Sequence, residues 1–323
     1  SYTFDPSNEA YQALGDGESE TISIEVKVTD DKGATDTKTL EITINGSNDG
    51  ATVSSQSVEL NETDAALTTN GTLTSSDVDN DDNAFTDATI VGDSGTFTID
   101  AAGGWTFTAN QAFDSLNVGD SVSETFDVSS VDGTISSVTV TINGTNDAPV
   151  LDAITTQSAV EDGSTVSGNI SSTDADDNST ATYSTTSTAA GFSLKADGSY
   201  TFDPSDDAYQ KLAEGETLTL VIPITVTDEN EATHSDNLSI TITGTNDTPV
   251  IEVISAVSVT EDGAEVTGNI SSSDADANST ATYSTTSTAA GFSLDADGSY
   301  TFDPSNEAYQ ALGDGESETI SIE

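Results

Sequence analysis

At three matching places along this chain two aspartates stand one residue apart after a Ser or Thr: Asp77-Val78-Asp79, Asp174-Ala175-Asp176 and Asp274-Ala275-Asp276. Each pair lies downstream of an asparagine–aspartate doublet, Asn48-Asp49, Asn146-Asp147 or Asn246-Asp247. A single glutamate precedes the second and third doublets, as Glu62 and Glu161. Carboxylate and amide oxygens gathered without basic partners are hard ligands, and Ca²⁺ takes six to eight of them in flexible geometry. Mg²⁺ demands a stricter octahedron and keeps its waters, so it fits such loops less well.

The recurrence itself limits the chemistry. Residues 1–25 return unchanged at 299–323, an offset of 298, and Ser179 to Leu194 return as Ser279 to Leu294, an offset of 100. Gly-Thr-Asn-Asp at 144–147 recurs at 244–247, with Gly46-Ser47-Asn48-Asp49 as a close relative. The chain reads as a tandem array with a period near 100 residues, set out as 1–49, the C-terminal part of a repeat, 50–147 and 148–247, two complete repeats, and 248–323, an N-terminal part. A catalytic site needs one arrangement once, whereas an array presents the same surface many times. The expectation is therefore no enzyme. No nucleophile–base pairing, phosphate loop or zinc ligand set is legible.

What must hold the acidic loops in place is a set of short strands. Leu220, Ile222, Ile224 and Val226 are spaced by two, as are Leu238, Ile240 and Ile242, Val138, Val140 and Ile142, and Ile22, Ile24, Val26 and Val28. Such alternation marks one buried face of a strand, and the intervening Thr and Ser suit the exposed face. In the third repeat an extended run from Pro149 through Val150, Ile154 and Val160 is followed by strands at Val166–Ser171, Ala181–Thr186, Phe192–Leu194, Tyr200–Phe202, Leu218–Thr227 and Leu238–Thr243. Asp206–Leu212 has the composition of one or two helical turns. Seven short strands in about 100 residues indicate all-β, immunoglobulin-like sandwich domains in tandem, forming an extended rod.

If consecutive strands run from pole to pole, Asp174, Asp176, Asp197 and Asp228 gather at one end of the sandwich. Glu161, Asp162 and Asp203 gather at the other, where the chain leaves through Asn246-Asp247. The joint between the third and fourth repeats then presents Glu161, Asp203, Asn246, Asp247, Asp274 and Asp276. That between the second and third presents Glu62, Asn146, Asp147, Asp174 and Asp176, with Asp228 as an addition. Between the first and second stand Asp5, Asn48, Asp49, Asp77 and Asp79, with Asp132 as an addition. Opposed carboxylates repel unless a cation lies between them. The competing explanation is that Asp and Asn in loops close Asx turns; recurrence of the whole set in every repeat favours the cation.

Composition narrows the partners. There are 58 acidic residues against five lysines, and the net charge is −53. Such a chain repels nucleic-acid phosphates and anionic lipid, and no apolar run approaches membrane-spanning length. Leu, Ile, Val and Phe make up about a fifth of the residues, so each core is thin. Without cysteine no disulfide can staple it, and residues 50–147 contain no lysine for a Lys–Asn cross-link. Metal is the remaining staple. Two departures weaken the pattern. The second repeat reads Trp105-Thr106-Phe107-Thr108 where the others read Tyr-Thr-Phe-Asp, and its entry, Asn48-Asp49-Gly50-Ala51, lacks the proline present as Pro149 and Pro249; that joint is expected to bind fewer ions or bend more. Trp105 reads as a core strand residue and His234 as a solvent-exposed one.

The combination Gly144-Thr145-Asn146-Asp147-Ala148-Pro149-Val150, Glu161-Asp162-Gly163, Thr173-Asp174-Ala175-Asp176 and Val226-Thr227-Asp228 resembles the VCBS and cadherin-like repeats of giant RTX-type bacterial adhesins. The resemblance covers essentially the whole chain. It implies interdomain Ca²⁺ held by Glu161, Asn246-Asp247 and Asp274/Asp276, secretion to the bacterial cell surface, and an extender role in surface or biofilm attachment. Calcium ions, adjoining repeats and other copies of the fibre are the implied partners. The alternative is that the repeats themselves bind a ligand such as a polysaccharide, or assemble into an extracellular filament.

Overall fold

Among the described residues, every regular element beyond one 3₁₀ turn at Glu9–Tyr11 is a β-strand. The computed structural model describes residues 1–79 and 83–323, and no α-helix occurs among them. The chain divides into two compact units, Ser1–Ala148 with Asp174–Ser179, and Pro149–Thr173 with Thr180–Glu323.

In the second unit, residues 149–173 and 180–243 build two main sheets beside the two-stranded pair Val150–Leu151 and Ser172–Thr173. One is four-stranded, in the order Gln157–Val160, Thr233–Thr243, Thr217–Thr227, Thr182–Ser184. The first of these pairs is parallel, with Ala159 opposite Ile242, and the other two are antiparallel. The second sheet is three-stranded, Val166–Asn169, Ser199–Phe202, Phe192–Leu194. Ile222, Ile224, Val226, Leu238, Ile240 and Ile242 from one sheet meet Tyr200 and Phe202 from the other in a single core. The period-two spacing put these residues on one face, and burial of that face is the main stabilising term. Their Thr and Ser neighbours ladder on the outside, as in the Thr219–Thr241 hydroxyl contact at 3.1 Å.

Two local expectations change. The extended run after Pro149 is not one strand: Val150–Leu151 pairs with Ser172–Thr173, and the chain then crosses to join the four-stranded sheet at Gln157. Residues 206–212 form successive hydrogen-bonded turns, Tyr209 N–H to Asp206 O at 2.9 Å and Leu212 N–H to Tyr209 O at 3.0 Å. The stretch is too short for helix nucleation to be favourable.

The first unit holds a related sandwich with its strands divided differently. Ser121–Ser129, Ile135–Asn143 and Gln56–Asn61 make one sheet, and Thr68–Thr72, Gly104–Ala109, Gly95–Ile99 and Ala88–Val91 the other. Trp105 lies in the core, its indole N–H donating to Gln56 Oε1 at 3.0 Å. Ahead of this sandwich, Ser19–Thr29 and Thr35–Asn45 form an antiparallel hairpin of eleven residue pairs.

Candidate metal centre

In the first unit the strand Ile135–Asn143 ends at Gly144, where a Cβ would lie 2.2 Å from Leu116 O. Only glycine lets the chain pass so close, and the next residues are thereby fixed against the end of the sandwich. Glu62 follows the strand Gln56–Asn61 and donates its N–H to Asn143 O at 2.9 Å. It is only 2 % exposed. One carboxylate oxygen, Oε1, accepts from Thr145 N at 2.9 Å and from the Thr145 hydroxyl. The other, Oε2, is buried with no hydrogen-bond donor, and so are Asp147 Oδ2, Asp114 Oδ1 and Asn117 Oδ1.

Glu62, Asp114 and Asp147 each offer a carboxylate oxygen, and these oxygens lie within 4.8 Å of one another. The Asp-x-Asp loop closes the site. Asp147 N donates to Asp176 Oδ2 at 3.0 Å. Asp176 N donates in turn to Asp174 Oδ1 at 3.1 Å, and Ser179 Oγ to Asp174 Oδ2 at 2.8 Å. Asn117 Nδ2 donates to Asp177 O at 3.0 Å. Asn146 Nδ2 donates to Asp147 O at 2.7 Å. Burial, and then the charges of Glu62, Asp176, Asp114 and Asp64, push the Asp147 carboxyl up to about 6.

The second unit repeats the construction. Glu161, 1 % exposed, donates its N–H to Thr243 O at 2.9 Å. Its Oε2 accepts from Thr245 N at 3.0 Å. Asp247 N donates to Asp276 Oδ2 at 2.9 Å, and Asp276 N to Asp274 Oδ1 at 3.0 Å. Glu161 Oε1, Asp247 Oδ2 and Asp276 Oδ1 are buried without donors. Asn246 again closes on its neighbour, Nδ2 to Asp247 O at 2.8 Å. Burial raises the pKa of Glu161, with Asp247, Asp162 and Asp276 adding repulsion against the Thr245 hydrogen bond. Asp247 is raised by burial and by Asp162, Asp276 and Asp274.

The Asn48-Asp49 segment keeps part of the pattern. Asp49 N donates to Asp79 Oδ2 at 2.8 Å, Asp79 N to Asp77 Oδ1 at 3.3 Å, and Asn48 Nδ2 to Asp49 O at 2.7 Å. Asp77 Oδ2 and Asp79 Oδ1 are buried without donors. A hydrogen bond shared with Asp79, then burial, holds Asp77 above its ordinary value. Asp132 has a different task. Its carboxylate accepts from Ala51 N at 2.8 Å, Thr134 Oγ1 at 2.9 Å and the Ser130 hydroxyl. The Ser130 bond first, then the Ala51 bond, holds its pKa far below the usual carboxylate range. Ala51 occupies the place of Pro149, so an N–H that proline lacks is tied down by Asp132 at the segment expected to bend.

Three further acids do turn work. Asp5 Oδ1 accepts from Ser7 N and Oγ at 3.0 and 2.6 Å, and Asp203 Oδ1 from Ser205 N and Oγ at 3.1 and 2.7 Å. Both are exposed, and their serine hydroxyls lower both pKa values. It is Asp162, not Asp203, that stands with Glu161 against Asp247. Asp228, buried, accepts from Asn230 N at 2.9 Å and Ala232 N at 2.8 Å. The matching position of the second repeat is Ser130, whose hydroxyl accepts from Thr134 N at 3.1 Å, so Asp132 and Asp228 are not equivalents. Sequence reasoning missed Asp114 and Asn117. They stand where the third repeat has Gln210 and Ala213, so repetition gave no signal for them.

Buried carboxylate oxygens that lack donors are costly alone. An all-oxygen set of Asp, Glu and Asn suits a hard divalent cation, so the residues fit Ca²⁺. A family model for the bacterial cadherin-like domain matches residues 48–145 and again 146–244. No curated protein sequence matches the chain. Among solved structures, mouse cadherin-23 EC22-24 is similar at 18% identity over 79% of this chain and 89% of its own, with TM-score 0.47. Protocadherin gamma B7 extracellular cadherin domains 1-4 is similar at 17% identity over 87% and 74%, with TM-score 0.43.

Proposed function

This chain belongs to the bacterial cadherin-like domain family, and on that footing we propose that its tandem domains are the calcium-stiffened extender of a large secreted bacterial adhesin. The observation that carries the reading is the recurrence of buried, donorless carboxylate oxygens beside each Asn-Asp doublet. Tandem cadherin-like domains are an extender or adhesion type of architecture. We assign them to the outside of a bacterial cell, where they hold a terminal adhesive domain away from the surface for attachment or biofilm growth.

Glu62, Asp114, Asp147, Asp176 and Asn117 would hold the ion in the first unit, and Glu161, Asp247, Asp274 and Asp276 in the second. Bound there, Ca²⁺ supplies the positive charge that the opposed carboxylates lack. The protein's own part is preorganisation. Thr145 and Thr245 fix one oxygen of each glutamate and leave the second facing the site, while the Asp147 and Asp247 N–H groups hold the Asp-x-Asp loops. The acidic surface and the absence of any described helix long and apolar enough to cross a membrane support a reading without nucleic-acid partners or helical membrane insertion. The reading in which the repeats bind a polysaccharide gains nothing from the single tryptophan, because Trp105 is core.

Small-angle scattering of the intact chain in EDTA and in Ca²⁺ tests the proposal. The expected result is a gain in maximum dimension and a sharper rod-like profile on adding Ca²⁺, with half-effect in the ~10⁻⁴–10⁻³ M range of extracellular modules. Superimposable profiles would refute stiffening by calcium.

A further inference from the structure

The single histidine of the chain, His234, makes a backbone hydrogen bond that the acidic sites do not use. It is the second residue of the strand Thr233–Thr243 and pairs with Val226 of Thr217–Thr227. Its ring is exposed, yet Nδ1 accepts the N–H of Leu151 at 3.0 Å. Leu151 is 7% exposed and belongs to the core that holds Leu238, Ile240 and Ile242.

That bond secures a short element. Val150–Leu151 pairs with Ser172–Thr173 through two residue pairs, and the next amide, Asp152 N, donates to Ser171 O at 3.0 Å. Successive amides of a strand point to opposite edges, so the Leu151 N–H is directed away from that ladder and finds the imidazole. A buried N–H that loses its acceptor costs free energy.

The acceptor is conditional. A neutral imidazole accepts at Nδ1 while its proton is on Nε2, and an imidazolium accepts at neither nitrogen. Histidine makes that change between pH 5 and 8. The turn before the strand carries Asp228, Glu229 and Glu231, and the strand itself carries Asp236. Asp152 follows Leu151, and Asp174 follows Ser172–Thr173. Thr217–Thr227 contributes no charged side chain; its Val226 lies between His234 and Tyr183, the titratable residue of Thr182–Ser184. None of these elements contains a lysine, so a positive ring meets carboxylates and no cation. Asp228, Asp236 and Glu229 accept from backbone N–H groups and Asp152 from the Ser171 hydroxyl.

The second repeat closes the same region without a titrating ring. Ser136, likewise the second residue of its strand, donates its hydroxyl to Ser54 O at 2.6 Å. Ala51 N is held by Asp132, whose own hydrogen bonds keep it ionised throughout the neutral range.

We propose that His234 is a proton-operated latch on the strand Val150–Leu151. The neutral ring holds the strand, and protonation removes the acceptor and releases the Leu151 N–H. The proton and the Leu151 N–H compete for one lone pair. By linkage, the latched form loses population as pH falls through the histidine range and regains it as pH rises. The third-repeat sandwich therefore loosens at its first strand in mild acid, while the second-repeat sandwich does not. No metal takes part.

Amide hydrogen exchange of the intact chain in EDTA, read at Leu151 as a protection factor, tests the latch. Leu151 protection should fall about tenfold from pH 8 to pH 5, while Ala51 protection stays within about twofold. The midpoint of the Leu151 change should coincide with that of the one imidazole resonance by NMR. His234→Asn keeps a side-chain acceptor that does not titrate, and should hold Leu151 protection constant over this range. His234→Phe keeps a ring without an acceptor, and should leave Leu151 weakly protected at both pH values. Equal Leu151 protection in the parent at pH 8 and pH 5 would overturn the proposal. So would a loss in His234→Asn equal to that of the parent, which would assign the switch to a carboxylate such as Asp152.

Discussion

The acidic cluster of the first unit and that of the second share a backbone plan and differ in side chains, Asp114 and Asn117 of the first standing where the second has Gln210 and Ala213. Both have a buried glutamate with one oxygen held by a threonine N–H and one oxygen without a donor. Both have an Asp N–H tied to the second carboxylate of an Asp-x-Asp loop. In the first cluster Asp114 adds a further donorless oxygen. At the matching position of the second stands Gln210, whose amide donates to Asp162 Oδ1 at 3.0 Å. A fixed frame thus carries acids in different places, Asp114 in the first cluster and Asp162 in the second. The frame comes from the repeat, and the place of the further acid is set repeat by repeat.

Removing the shared glutamate should produce the largest effect. Glu62→Ala should weaken calcium at the first cluster by roughly 100-fold, the upper end for altering a metal site, and leave the second unaffected. Glu161→Ala should do the reverse. Calorimetric titration of each variant resolves the two, and a loss at both sites from either change would break the comparison.

Exchanging the distinguishing side chain should give an intermediate effect. Asp114→Gln should lower affinity at the first cluster by about tenfold, and Gln210→Asp should raise it at the second by a similar factor. Equal affinities in both variants and the parent would show that the difference at this position has no role.

Protons should act on the first cluster in a defined window. The folded pKa of Asp147, about 6, is above the usual aspartate value of about 3.9. The folded metal-free chain therefore binds more protons between those values, and Asp147's contribution to stability falls as pH rises through the window. Calcium requires the ionised carboxylate and should reverse the trend. The melting-temperature gain from saturating Ca²⁺ should be larger at pH 7.5 than at pH 5, by thermal unfolding at both. A gain independent of pH would remove Asp147 from the site.

The smallest effect is expected at the turn acids. Asp203→Ala should leave calcium affinity within about twofold, since only the Ser205 turn is lost. Asp132→Ala should lower the melting temperature by the same amount with and without Ca²⁺, because its partner is the Ala51 N–H.

The alternation of Ile, Leu and Val with Thr made the sandwich strands legible, since a period of two leaves one face to bury. The Asn-Asp and Asp-x-Asp segments were legible because they recur. Asp203 and Asp5 read as ligands because an Asp that closes a turn on a following serine, as both do through Oδ1, is the same residue type as one that faces a cation. Asp114 stayed hidden for the opposite reason: it belongs to one repeat alone. The missing proline at Ala51 suggested a looser joint, and only coordinates could reveal that Asp132 holds that N–H. The break of the strand after Pro149 was equally unreadable, because both pieces carry apolar residues and differ only in the sheet they join.

Direct measurement of ion binding tests the central claim. Calorimetric titration of the intact, EDTA-treated chain with Ca²⁺ at pH 7.5 should show saturable binding in the ~10⁻⁴–10⁻³ M range, abolished in a Glu62→Ala/Glu161→Ala double variant that keeps its strand content by circular dichroism. Absence of saturable binding to the parent, or unchanged binding in the double variant, would contradict the assignment of these carboxylates to calcium.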